Sequence, residues 1–178
     1  MRASMNENTD KATLRYASGG ELHRDFHASI LDGANYLLDN YGEEALKEVV
    51  FKTGTEVYKT IHEKLLAGDK SELIAWWRYY MDREGADYAL EETETGAVLT
   101  VKECPALKHL ECRKICGGKG LCALTKMLND AFTSGTPYEI ALEETGRNSC
   151  RQMLNLVREN SSSSRNEEII IPFSNSNS

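Results

Sequence analysis

The chain has 178 residues and a formal net charge of −7, about one domain's worth of sequence and enough to bury a single sizeable core. The acidic balance disfavours a binder of nucleic-acid backbone or of anionic membrane, both of which need a basic face. No apolar run approaches the roughly 20 residues of a membrane span, and the polar segment Met1–Ser18 lacks the apolar middle of a signal peptide. The expectation is a cytoplasmic protein with no nucleic-acid or membrane partner.

Residues 1–18 show no sustained period, and the last 20 residues contain seven Ser and four Asn. Such composition cannot support a packed core, so both ends read as disordered around one folded unit at 19–158. Within it, Leu22, Phe26, Ile30, Ala34, Leu37 and Tyr41 recur at helical spacing and predict a first helix over 20–41 with that stripe buried. Gly42 is a natural stop. A second helix is expected over 43–67 on Leu46, Val49, Val50, Val57, Ile61 and Leu65. Asp69 with Glu72 reads as a capping box for a third helix, whose Leu73, Trp76, Trp77, Tyr80 and Met81 look like core.

The period then changes from helical to alternating. Residues 88–93 and the run through Ala97, Leu99 and Val101 form a hairpin around Glu94-Thr95-Gly96. A second hairpin joins 138–144 to 149–157 through Thr145-Gly146-Arg147-Asn148. Two helices, over 105–116 and 120–132, lie between the hairpins, separated by Gly117-Gly118-Lys119-Gly120. The predicted fold class is therefore α+β, an antiparallel sheet from two β-hairpins covered by helices, in the order α-α-α-β-β-α-α-β-β.

Five cysteines and no CxxC pair argue for reduced thiols rather than a disulfide framework or a zinc knuckle. Pro105 favours the first turn of a helix, which puts Cys104 at an N-cap, where unpaired N–H groups and the helix dipole stabilise a thiolate. Cys122 is expected in the first turn of the next helix, so the same reasoning applies to it. Thr125 and Asn129 continue its stripe and supply polar groups that would orient a small ligand. On the last strand, Cys150 and Gln152 share a face and would border the same cavity. His23 and His27 stand four residues apart, each one position along from Leu22 and Phe26, so they flank the buried stripe of the first helix. The residue one turn further on is Leu31, so they make only half of a metal site, and neither a metal nor another cofactor is expected. His27 alone suits proton transfer near neutral pH. The carboxylates of Glu91-Glu92 and Glu143-Glu144 fall beside turns and read as solvated.

Taken in order, several short motifs resemble the L-2-amino-thiazoline-4-carboxylic acid hydrolase family. They are Tyr41-Gly42-Glu43-Glu44, Glu84-Gly85-Ala86-Asp87-Tyr88, Glu103-Cys104-Pro105-Ala106, Cys122 with Thr125 and Asn129, and Gly146-Arg147-Asn148-Ser149-Cys150. The likeness covers most of residues 20–157. The ending with Gly and Cys also looks like the 4-vinyl reductase type of small-ligand domain. The resemblance implies hydrolytic opening of a carboxylated thiazoline ring to N-carbamoyl-cysteine. It maps the family's cysteines onto Cys104, Cys122 and Cys150, leaving Cys112 and Cys116 as extras. Arg147-Asn148 departs from the acidic residue that members often carry in that turn.

The expected site thus has Cys104 or Cys122 as nucleophile and His27 as proton shuttle. Thr125, Asn129, Cys150, Gln152 and His23 would bind a small-molecule substrate. The competing expectations are a non-catalytic domain sensing a small molecule or a metal through the same pocket, and an oligomerising module built on the aromatic third helix.

Overall fold

The computed structural model describes residues 17–18, 21–22 and 25–157. His23, the segment before Ala17 and the Ser/Asn-rich tail lie outside the described residues. The described residues start with a two-residue antiparallel ladder, β1 (Ala17–Ser18) with β2 (Glu21–Leu22). Six α-helices and four further strands follow. They are α1 (Phe26–Tyr41), α2 (Glu43–Lys52), α3 (Lys59–Leu66), α4 (Ser71–Arg83), β3 (Asp87–Glu92), β4 (Gly96–Glu103), α5 (Pro105–Cys112), α6 (Gly118–Thr133), β5 (Tyr138–Gly146) and β6 (Ser149–Leu156). This is the α+β architecture expected, with one antiparallel sheet in the order β3-β4-β6-β5. Among the described residues no helix is long and apolar enough to cross a membrane.

The two hairpins meet through β4 and β6, where Val101 pairs with Cys150, Leu99 with Gln152 and Ala97 with Leu154. Directly paired residues project to one face of an antiparallel sheet. The inner face therefore reads across four strands in rows. One row is Leu90, Leu99, Gln152 and Leu142, and the next is Tyr88, Val101, Cys150 and Glu144. The helices cover this face, and the core joins Leu99 and Leu154 of the sheet to Leu65, Leu73, Trp77 and Phe132.

The helical half departs from the periodicity in two places. The first helix begins at Phe26, because Glu21 and Leu22 are in the small ladder. Its buried line is His27, Leu31 and Ala34. At His27 and Leu31 that line is one position on from the expected stripe, which it rejoins at Ala34; Ile30 is half exposed and Tyr41 is 65% exposed. That buried line belongs to a helix against which α2, α5 and α6 all pack, and it includes the histidine.

The second helix is not continuous. A π-helical turn, Thr53–Val57, divides it, and Val57 ends 74% exposed. The hydroxyls of Thr53 and Thr55 donate to the carbonyls of Val49 and Phe51 at 2.8 and 2.9 Å. Such back-bonding competes with the regular ladder and widens the turn. Gly54 sits within it, and a Cβ there would stand 2.6 Å from the Ala131 Cβ of α6. The bulge brings bare backbone against α6, which packs against α2, the π turn, α3 and β5.

At the start of α4, Asp69 accepts the Ser71 N–H at 2.9 Å. The Ser71 hydroxyl and then that N–H, with Lys64 beside them, hold its carboxyl down to about 2. The fifth helix stops at Cys112, four residues earlier than expected, and the sixth starts at Gly118 from a left-handed Gly117 (φ 108°).

Candidate active site

A cavity of about 620 Å³ lies between the inner face of the sheet and helices α1, α4, α5 and α6. Its wall includes His27, Cys104, Cys122, Thr125, Cys150 and Gln152. Six residues chosen from separate positions in the sequence are thus brought together.

Each thiol comes from a different element. Cys104 is the N-cap of α5, with extended backbone ahead of Pro105. Its own N–H donates to the Asn148 carbonyl at 2.6 Å, tying the start of α5 to the β5–β6 turn. The far end of α5 is tied to the same turn, since Arg147 Nε and Asn148 Nδ2 both donate to Glu111 at 3.0 Å. Cys150 faces inward from β6, opposite Val101 and Glu144. Cys122 faces the same space from α6.

The electrostatics of the thiols correct the expectation. Burial pushes the Cys104 thiol above its ordinary range, although the N–H groups of Ala106 and Leu107 at the helix start act in the opposite direction. Desolvation outweighs the helix terminus here. Cys122 is the fifth residue of α6, one turn past the free N–H groups, so the helix start does not prime it. Burial raises it to about 11, with Glu144 and Cys104 adding to the rise. Cys150 is raised to about 12 by burial and by the neighbouring Cys104 and Cys122. All three are thiols, not thiolates, at neutral pH. Cys112 and Cys116 are exposed and do not line the cavity.

His27 does not flank the core as expected. It is 7% exposed, and its Nε2–H donates to Glu84 Oε2 at 2.9 Å, the carboxylate being 5% exposed. Glu84 follows the last turn of α4 and also lines the cavity. A carboxylate accepting from Nε2 fixes the tautomer and leaves the lone pair on Nδ1. Sequence reading missed this residue. It stands in a quoted motif, but nothing local links it to a histidine 57 positions earlier.

Glu144 has a second role beyond the one expected of it. It is exposed, as a solvated carboxylate should be, yet it lines the cavity beside Cys150 and Cys122. Asn129 lies behind the wall rather than in it. It is 1% exposed and its Nδ2 donates to Gln152 Oε1 at 2.8 Å, which orients the Gln152 amide and leaves that amide's N–H groups for a ligand. The Thr125 hydroxyl donates to the Leu121 carbonyl at 3.0 Å, so only its lone pairs are available to a ligand.

Two cationic side chains, Lys119 and Arg147, border the cavity at exposed positions. The aromatic face of α4, expected to be core throughout, is divided. Trp77 is buried, while Trp76, Tyr80 and Met81 are half-buried, and all four line the cavity. Among the described residues no group of three or more His, Cys, Asp or Glu side chains is placed to hold a metal ion.

Comparison with protein-family models, with curated proteins and with solved structures finds no match for this chain.

Proposed function

We propose that the protein is a hydrolase that opens a small carboxylated thiazoline-type ring, converting 2-amino-thiazoline-4-carboxylate to N-carbamoyl-cysteine. The buried His27–Glu84 pair in a cavity wall shared with three thiols carries this reading. It is the feature that best fits general-base chemistry, since a histidine oriented by a carboxylate activates water. A resting thiolate is disfavoured, because burial keeps Cys104, Cys122 and Cys150 protonated. The nucleophile is therefore water rather than Cys104 or Cys122.

In this reaction His27 Nδ1 takes one proton from water as the oxygen adds to the ring carbon between nitrogen and sulfur. The new C–O bond becomes the ureido carbonyl and the C–S bond breaks. The departing sulfur takes the proton back from His27, and the second water proton moves from the added oxygen to the ring nitrogen as the carbonyl forms. Glu84 stabilises the transient imidazolium, as a buried carboxylate does beside a catalytic histidine. The free amide N–H groups of Gln152 position the substrate, and Lys119 and Arg147 attract its carboxylate.

A non-catalytic sensor of a small molecule is the second reading, and the protonated state of all three cavity thiols favours it. Turnover separates the two. The reduced protein is incubated with 2-amino-thiazoline-4-carboxylate, and new free thiol is followed above the protein's own. The hydrolase reading expects release by wild type and its loss in His27→Ala. Binding without release leaves the sensor, and neither binding nor release removes this substrate.

A further inference from the structure

We infer that the cavity contains a second subsite, on the α4 side, which takes a flat aromatic substituent bearing a hydrogen-bond acceptor and attached to the ring held at His27. The inference rests on the proposed ring-opening reading for the head group, but its own support is separate. Tyr58, Trp76, Trp77, Tyr80, Met81 and Leu128 line this part of the cavity, and none of them carries a charge. Trp76 stands edge-on to Tyr58 and Phe132, with centroids 5.6 and 5.4 Å apart, and tilted against Tyr80 at 5.1 Å. These contacts hold its ring in place. Aromatic walls of this kind favour offset or edge-on contact with another flat ring.

Three observations call for a ligand larger than the bare heterocycle. Helix α4 acts as a ruler along the wall. Trp77 and Glu84 both line the cavity seven residues apart, about 10 Å at the helical rise per residue. A single five-membered ring with two small substituents cannot touch both. The volume of about 620 Å³ falls within the range of roughly 300–1,000 Å³ that encloses much larger, drug-sized ligands. Finally, the indole Nε1–H groups of Trp76 and Trp77 are buried and meet no acceptor among the described residues, and Trp77 is 2% exposed. Buried donors are nearly always paired, so an acceptor on the substituent would complete them. The substrate class is thus an aryl- or aroyl-substituted thiazoline carboxylate rather than the bare ring.

The two tryptophans of the chain both line this cavity, so indole fluorescence reports on it alone. The whole protein is titrated with three probes, by fluorescence and by calorimetry. They are 2-amino-thiazoline-4-carboxylate, its N-benzoyl derivative, and hippurate, which keeps the benzoylamino carboxylate but lacks the ring. The expected result is about tenfold tighter binding of the benzoyl derivative than of the bare ring, with altered indole emission. Trp76→Phe keeps a smaller aromatic ring at the same place and removes one N–H. It should weaken the benzoyl derivative several-fold and leave the bare ring unchanged. Equal or weaker binding of the benzoyl derivative overturns the subsite, while turnover of the bare ring would keep the hydrolase reading. An unchanged benzoyl affinity in Trp76→Phe overturns the acceptor contact. Hippurate binding alone supports the aromatic subsite and removes the thiazoline head group. No binding of any probe removes both.

Discussion

His27 of α1 and Glu84 at the end of α4 share a 2.9 Å hydrogen bond, and both side chains are more than nine-tenths buried. The pair bridges two helices across the cavity, so it has both a structural and a chemical consequence. Glu84→Gln keeps the size of the side chain and removes its charge. Ring opening should fall about 10- to 100-fold, because an amide stabilises the imidazolium poorly, while the melting temperature changes little. His27→Ala should abolish turnover and cost about 1–3 kcal/mol, since a buried carboxylate loses one of its partners. Wild-type turnover by Glu84→Gln would make the pair purely structural.

The thiols are expected to divide by accessibility and protonation. At pH 7.5, a disulfide reagent should modify Cys112 and Cys116 quickly, as both are exposed. Cys104, Cys122 and Cys150 should react far more slowly, because burial holds them as thiols. Peptide mapping after timed labelling checks this. A fast Cys104 would restore the thiolate route.

Cys104→Ser is a direct test of water as nucleophile. The substitution should leave turnover within about tenfold of wild type, since losing a covalent nucleophile would cost far more. Steady-state thiol release measures it. A loss of several orders of magnitude with an intact fold would mean that Cys104 attacks the ring.

Alkaline pH should destabilise the fold through the same thiols. Cys122 and Cys150 titrate near 11 and 12 in the folded chain against 9.0 for an ordinary thiol. Between those values the unfolded chain has released more protons than the folded one. Stability is therefore complete below about pH 9 and falls as pH rises toward 12. Cys150→Ala should flatten that decline in thermal melts from pH 8 to 11. An unaltered slope would mean that Cys150 is not desolvated.

Gly54→Ala tests the close approach at the π turn. The added methyl would meet the Ala131 Cβ at 2.6 Å, and two helices must separate to admit it. Overpacking of this kind costs about 1–3 kcal/mol, read as a lower denaturant midpoint. A neutral result would show that the π turn relaxes without moving α6.

Much of the sheet was legible from local pattern. Alternation grouped Ala97, Leu99 and Val101 on one side of β4 and Cys150, Gln152 and Leu154 on one side of β6, which the pairing of the two strands makes a single sheet face, since a strand's two-residue period leaves only two choices of face. Pro105 likewise marked Cys104 as a helix start. Helical periodicity was less decisive. It finds α1 but not its rotation, and so places Ile30 in the core and His27 on its flank. A stripe defined by several adjacent apolar residues fixes the helix angle only to about one position.

The amino-acid sequence by itself determined the α+β class, the two hairpins and the set of polar and sulfur side chains that could meet. Tertiary structure decided their chemistry. It supplied Glu84 to His27, turned Asn129 into the support of Gln152, and put Glu144 beside two thiols. It also reversed the expected ionisation of Cys104 and Cys122. The physical reason is that a helix start is a local property, whereas desolvation is set by whatever other segments fold over a group, and at these sulfurs the covering segments outweigh the helix.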